Sequence, residues 1–206
     1  GVTTVRGNNG NDVLNGGGFN DSLIGGSGAD TINGGGGADT ISVGDGSIKA
    51  VDTVVVATNQ STSGAFDTVF DFDVSNFGGV NNDVLNLPSN SIAPDASNVD
   101  GTDVGTLAKH SISNGIVTFF DTANTAVLIN NANRGSALTY LSTNLTAPGT
   151  TAAFAYDSDG NGQNDSLMVY QDGVSPNFDL AVQLTGVNGV TLGKLAGQNV
   201  VQIADT

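Results

Sequence analysis

Large apolar residues recur every ninth position near the start of the chain: Leu14, Leu23, Ile32 and Ile41, each two residues after an aspartate, at Asp12, Asp21, Asp30 and Asp39. Between them lie turns built almost wholly of Gly, Asn and Ser. The stretch Gly7 to Ser42 divides into four nonapeptides, GNNGNDVLN, GGGFNDSLI, GGSGADTIN and GGGGADTIS. The last two fit G-G-x-G-x-D-x-U-x, with U a large apolar residue, at every fixed position, and the others depart at Asn8 and Phe19. Six residues rich in glycine turn tightly, and x-U-x is long enough for one short strand with a single inward side chain. One such unit cannot bury its apolar residue alone, so the period predicts a solenoid. With two nonapeptides per coil, Asp12 stacks over Asp30 on one edge and Asp21 over Asp39 on the other. Stacked carboxylates with turn carbonyls make an all-oxygen cage of the kind calcium takes. A flexible Gly/Asn/Asp linker has no reason to place Leu or Ile every ninth residue. A segment disordered until calcium arrives does, its folding and metal binding being one equilibrium.

Beyond this block the pattern is that of a β protein. Residues 1–6 read as the end of a strand. A fifth repeat, VGDGSIKAV, has Ile48 where the aspartate belongs. Either Asp45 donates instead, or Asp52 does after a short insertion, since Asp52-Thr53-Val54 restores D-x-U. A longer strand is expected over 51–57, then a polar turn over 59–64. Ser89 to Lys109, with Pro94 and several aspartates, reads as a long loop. Residues 116–120 and 125–129 read as a hairpin around the turn 121–124. Ser136 to Leu145 has helical spacing at Leu138, Leu141 and Leu145. Further strands are expected around Phe154 and Tyr156, at 167–170, at 178–184 and at 200–203. The expectation is an all-β chain: a parallel β-roll over 1–57, a roll-closing cap and irregular connection over 58–110, and a mainly antiparallel β domain over 111–206.

Composition narrows the function. The 206 residues carry 20 acidic and 5 basic side chains, a formal net charge of −15. A nucleic-acid surface needs the opposite sign, and anionic membranes are disfavoured likewise. There is no cysteine, so metal is the expected staple, and no apolar run has the length of a membrane span. No metalloprotease, nucleophile-elbow or phosphate-loop motif is present. His110, the only histidine, is expected in a surface loop rather than as a general base, and the chain is read as non-catalytic. Low Lys/Arg with abundant Asn, Thr, Ser, Gly and Ala resembles bacterial cell-surface proteins. Without an N-terminal leader, and starting at Gly1, the chain is read as the C-terminal module of a longer protein.

The nonapeptides resemble the RTX (repeats-in-toxin) calcium-binding β-roll family. The resemblance implies ions held between stacked turns by Asp12, Asp21, Asp30 and Asp39 and by backbone carbonyls of Gly7, Asn9 and Asn11, of Gly16, Gly18 and Asn20, of Gly25, Ser27 and Ala29, and of Gly34, Gly36 and Ala38. Residues 66–87, with Asp67-Thr68-Val69, Asp71-Phe72 and Asp83-Val84-Leu85, resemble the segment that closes the roll in RTX proteases. That makes Asp67, Asp71 and Asp83 candidate ligands of a last calcium, or else turn formers flanking capping strands. Residues 157–165 read D-x-D-x-N-G-x-x-D, matching the early positions of an EF-hand loop through Asp157, Asp159, Asn161 and Asp165. Met168 replaces the bidentate glutamate and strands flank the loop, so it is either a weak calcium loop in a hairpin or an Asx-rich turn. The tail resembles a type I secretion signal, and also reads as an ordinary last strand.

These resemblances imply a secreted module on or outside a bacterial cell. It would fold on external calcium, be exported by the type I secretion apparatus, and serve a surface-layer protein or adhesin through self-association or contact with cell-surface components. The alternative is the tail of an extracellular protease, lipase or epimerase whose catalytic domain lies upstream. A carbohydrate-binding module, with the 157–165 loop as its site, is the third reading.

Overall fold

In the computed structural model the nonapeptide period becomes a two-sided coil. The structure describes residues 1–44, 46, 49–62, 64–74, 81–173, 179–187, 189–194 and 200–205. Eight short strands alternate between two sheets: β1 (Thr4–Asn9), β2 (Val13–Gly17), β3 (Ser22–Ser27), β4 (Thr31–Gly35), β5 (Thr40–Ser42), β6 (Thr53–Val55), β7 (Asp67–Phe70) and β8 (Val84–Asn86). The odd strands stack in parallel on one side and the even strands on the other. Register sets each inward residue on the next: Val5 on Leu23, Leu23 on Ile41 and Ile41 on Val69; Leu14 on Ile32, Ile32 on Val54 and Val54 on Leu85. Leu23, Ile32, Ile41, Val54, Val69 and Leu85 are wholly buried between the sheets. Removing one such side chain from water is worth about 2 kcal/mol, and only the stack makes that possible.

The coils do not stop at residue 57. Successive aspartates pair 18 residues apart in the regular repeats, then 22, 28 and 31 apart. The insertions lengthen the turns while the strands keep register. The segment over 67–86, expected as a cap, is thus two more rungs of the roll. The strand expected over 51–57 is only the three residues Thr53–Val55.

The end of the coils is covered by the C-terminal part, which extends both sheets. It comprises β9 (Ser91–Ile92), β10 (Ala96–Val104), β11 (Leu107–Ser113), β12 (Ile116–Phe120), α1 (Arg134–Asn144), β13 (Thr150–Tyr156), β14 (Ser166–Gln171), β15 (Leu180–Thr185), β16 (Val190–Lys194) and β17 (Val200–Asp205). β15 joins β7 in parallel and continues into β14, β13, β12, β11 and β10, while β17 joins β8 antiparallel with β16 outside it. One core cluster runs from Leu14 through the coils to Leu184, Leu192 and Ile203. A second joins α1, through Leu138, Tyr140 and Leu141, to Phe119, Phe154, Tyr156 and Tyr170.

Three expectations are corrected here. Residues 89–109 are not a loop: they hold β9, β10 and the start of β11. The hairpin around 121–124 forms only as a short return, Phe120 bridging Ala126 and the amides of Asp121 and Val127 donating to the carbonyls of Thr125 and Phe119, while the regular hairpin is β11–β12, turning at Asn114-Gly115 with φ of 48° and 76°. His110 is not on a surface loop: it lies in β11, 4% exposed, with Nδ1 3.1 Å from the Tyr140 hydroxyl. The helix and the strands around Phe154 and at 167–170 form as the spacing predicts. The strand expected from Phe178 begins at Leu180, Phe178 itself lying outside the described residues.

Candidate metal centre

Each repeat aspartate ends a turn two residues before an inward one, which puts its carboxyl at the edge of the coil, against the coil before it. One carboxylate oxygen ties the coils together. The amide of Asp12 donates to Asp30 Oδ1 at 2.8 Å, Asp21 to Asp39 at 2.7 Å, Asp30 to Asp52 at 2.7 Å, Asp39 to Asp67 at 2.9 Å and Asp52 to Asp83 at 2.8 Å. Thr3 donates to Asp21 Oδ1 in the same way. Two ladders result, one per edge. Asp52 fills the fifth rung; Asp45 lies outside the described residues. Asp30, Asp39, Asp52, Asp67 and Asp83 are each at most 1% exposed.

The other oxygen faces into the turn. Oδ2 of Asp12 and of Asp39 is buried with no hydrogen-bond partner among the described residues, a position that costs an ionised group several kcal/mol unless a cation compensates it. A methyl group built on Gly7 would meet Asp12 Oδ2 at 2.7 Å and also the Gly25 carbonyl of the next coil. One built on Gly16 would meet Asp21 Oδ2 at 2.9 Å and the Gly34 carbonyl, and one on Gly25 would meet Asp30 Oδ2 at 2.5 Å. A carboxylate oxygen and a carbonyl of the next turn therefore converge where the repeat keeps a glycine. An anionic set made only of oxygen suits calcium. The side chains of Asn11 and Asn20 act differently, accepting the amides of Ala29 and Ala38 at 3.0 Å. Ser27 offers its carbonyl to Gly10 at 2.8 Å, and Gly36 donates to Gly17 at 2.7 Å. Asn9 pairs with Ser27 across β1 and β3, and Gly18 lies under Gly36.

Charge accumulates along each ladder. Burial pushes the Asp67 carboxyl up to about 7, with the Asp39 charge adding to the rise against the Asp39 amide. Burial also raises Asp83 to about 7, with amides of Asp73 and Asp52 opposing and the carboxylates of Asp52 and Asp73 adding to it. Asp39 rises for the same first reason.

The candidates at the closing coil separate. Asp67 receives Asp39 and sends its own amide to Ser61 Oγ at 2.7 Å, whose hydroxyl donates to the Ala181 carbonyl of β15. Asp83 accepts an amide on each oxygen, from Asp52 and from Asp73 at 2.8 Å. Asp71 sits outside the ladder, exposed, its Oδ2 accepting the Ser42 hydroxyl at 2.9 Å. Thr3, Ser61 and Asp73 had no motif to mark them; the widening D-x-U series was the available signal.

The hairpin loop brings oxygens of Asp157, Asp159 and Asp165 within 4.8 Å of one another. Asp157, 3% exposed, accepts the amides of Gly160 and Asn161 on Oδ1 and of Gly162 on Oδ2. Asp165 accepts the amide and hydroxyl of Ser158 and the amide of Asp159. Burial pushes the Asp165 carboxyl up, but the Ser158 and neighbouring bonds outweigh it and leave it lowered. Asn161 spends its side chain on Asp159 and Gln163. The loop holds itself with its own amides, as an Asx-rich turn does.

Residues 6–41 match the family model of the RTX calcium-binding nonapeptide repeat, in four copies. This stretch is thus an RTX calcium-binding repeat block, a repeat generally carried by secreted proteins. No curated protein matches the chain.

Proposed function

We propose that the chain is a non-catalytic calcium-binding module of a secreted RTX protein, folding on calcium outside the cell and supporting type I export and cell-surface structure, as in a surface layer or adhesin. The observation that carries this reading is the pair of buried carboxylate ladders, in which the second oxygens of Asp12 and Asp21 converge with carbonyls of the next turn, those of Gly25 and Gly34. Cytoplasmic calcium is too scarce to neutralise them, so the roll stays open and exportable inside and closes outside, metal binding supplying the folding free energy. Asp12, Asp21, Asp30 and Asp39 would hold the ions, with carbonyls of Gly25 and Gly34 and their turn neighbours. Asp52 and Asp67 would extend the sites, while Asp83 acts as a tie. No helix among the described residues is long and apolar enough to cross a membrane.

The test is a calcium titration of the chain followed by far-UV circular dichroism, with magnesium as control. A transition to β structure that calcium drives and magnesium does not is expected. The same β spectrum with and without chelator, and no calcium uptake, would refute the metal reading.

A further inference from the structure

The loop joining β13 to β14 holds an Asn-Gly pair, Asn161-Gly162, in which both partners of a possible ring closure are gripped. Asn161 Oδ1 accepts the Gln163 amide at 2.8 Å, and its Nδ2 donates to Asp159 Oδ2 at 3.0 Å. A carboxylate only accepts and an amide N–H only donates, so these partners fix which end of the side chain is which. Reaching forward to the second amide along the chain carries Cγ across Gly162 and beside its nitrogen. The Gly162 N–H itself donates to Asp157 Oδ2 at 2.8 Å. Asp157 is 3% exposed and held by the Gly160 and Asn161 amides on its other oxygen. Asn161 and Gly162 are exposed to water. Gly162, at φ 87°, brings no side chain to obstruct an approach to its nitrogen.

The other Asn-Gly pairs are placed differently. Besides Asn161 they begin at Asn9, Asn15, Asn33, Asn114 and Asn188, the last lying outside the described residues. Asn9, Asn15 and Asn33 belong to β1, β2 and β4, where an extended backbone stands the side chain off the sheet. Asn33 also reaches forward, to the Gly35 amide at 3.0 Å. Its neighbour Gly34, however, is buried in the coil and donates to no carboxylate among the described residues. Asn114 turns the β11–β12 hairpin, with Gly115 wedged against Ile92 and Leu192. Of the described pairs, only Asn161-Gly162 combines a forward-curled side chain, a glycine amide held by a carboxylate, and open water.

We propose that Asn161 is a self-modifying residue, converted by its own loop to aspartate and isoaspartate through a succinimide. The Gly162 nitrogen attacks Asn161 Cγ while its proton passes to Asp157 Oδ2. The carbonyl electron pair moves onto Oδ1, where the Gln163 N–H steadies it. The Cγ–Nδ2 bond then breaks, and Nδ2 takes the proton from Asp157 and leaves as ammonia. Water opens the ring, at Cγ to give aspartate or at the Asn161 α-carbonyl to give isoaspartate. The sum is asparagine plus water to aspartate or isoaspartate plus ammonia, with no oxidant or further reactant. Either product adds a negative charge where oxygens of Asp157, Asp159 and Asp165 already lie within 4.8 Å of one another. Isoaspartate also lengthens the main chain and pulls Gly162 away from Asp157. The site rests on the hairpin alone and is independent of the calcium ladders.

The experiment is peptide mapping by mass spectrometry of the chain held in calcium at neutral pH, with circular dichroism confirming that it is folded and a urea-unfolded sample beside it. Position 161 should exchange NH2 for OH at least about tenfold faster than positions 9, 15, 33 and 114 of the same folded molecules. It should also outpace itself in urea, where the five positions converge. Isoaspartate should appear at 161, since only attack by the backbone nitrogen produces it. Asp157→Asn should slow position 161 at least about tenfold in the folded chain, leave the other positions unchanged, and have no effect in urea. Conversion at 161 no faster folded than unfolded means simple exposure and overturns the proposal. A product that is aspartate without isoaspartate overturns it as well, because water then attacks directly. So does a rate indifferent to Asp157→Asn. Should that variant not fold, the comparison with urea and the isoaspartate in the unaltered chain still decide.

Discussion

Asp39 and Asp83 occupy equivalent rungs and differ in one oxygen. Asp39 Oδ2 is buried beside Gly34 without a hydrogen-bond partner among the described residues, whereas Asp83 Oδ2 holds the Asp73 amide. The two should answer to the same substitution differently. In Asp39→Asn the amide oxygen still accepts the Asp21 N–H, but the charge offered to calcium is gone. The calcium midpoint of folding should rise about tenfold or more, with little change in chelator. In Asp83→Asn the new NH2 group must face a backbone N–H, leaving a buried donor unmatched at a cost of about 1–3 kcal/mol. Urea unfolding, run with and without calcium, should show a loss of similar size in both. Equal calcium dependence for the two variants would remove the distinction between ligand and tie.

The elements were legible where periodicity was strict. Leu14 to Ile41 announced the coils because a nine-residue period has no other use. Val54, Val69 and Leu85 belong to the same stack, but insertions of growing length hid the period, so only the local D-x-U triplets survived. β10 was illegible for a physical reason: as an edge strand exposed on both faces it has polar residues where a buried strand alternates. The β11–β12 hairpin was missed because the apolar run at 125–129, which makes only a short return onto β12, outweighed the Asn114-Gly115 dipeptide, the stronger turn signal. That turn is also tightly packed. A β-carbon on Gly115 would meet Ile92 Cγ2 at 2.7 Å and Leu192 at 3.0 Å, at a φ of 76°. Gly115→Ala should therefore cost about 2 kcal/mol, joining backbone strain to overpacking. Thermal denaturation measures it, and because Leu192 belongs to the core shared with the roll, the loss should appear in calcium as well.

Across the molecule, the two halves carry titrating groups of opposite sign. In the calcium-free state Asp67 and Asp83 hold protons more tightly folded, at about 7, than unfolded, near 3.8. Their contribution opposes folding above about 7 and fades as pH falls toward the unfolded value, so acid favours the metal-free roll. His110 acts the other way. Burial lowers its pKa below the ordinary 6.5, so the second core is fully stable above that pH and loses stability as pH falls through it. Chelated protein taken from about pH 8 to about pH 5 should thus gain β signal in the roll while the core around Tyr140 loosens. The two cores make this separable. The first cluster threads every coil, and the second contains no residue of the coils. Calcium removal at neutral pH exposes the ladder charges of the first and touches none of the second. Hydrogen exchange read by mass spectrometry should then show residues 4–42 losing protection while α1 and β11, which belong to the second cluster alone, keep theirs. Loss of protection across both clusters together would mean that the sheets shared through β7 and β15 bind the molecule into one cooperative unit, with the ladders governing all of it.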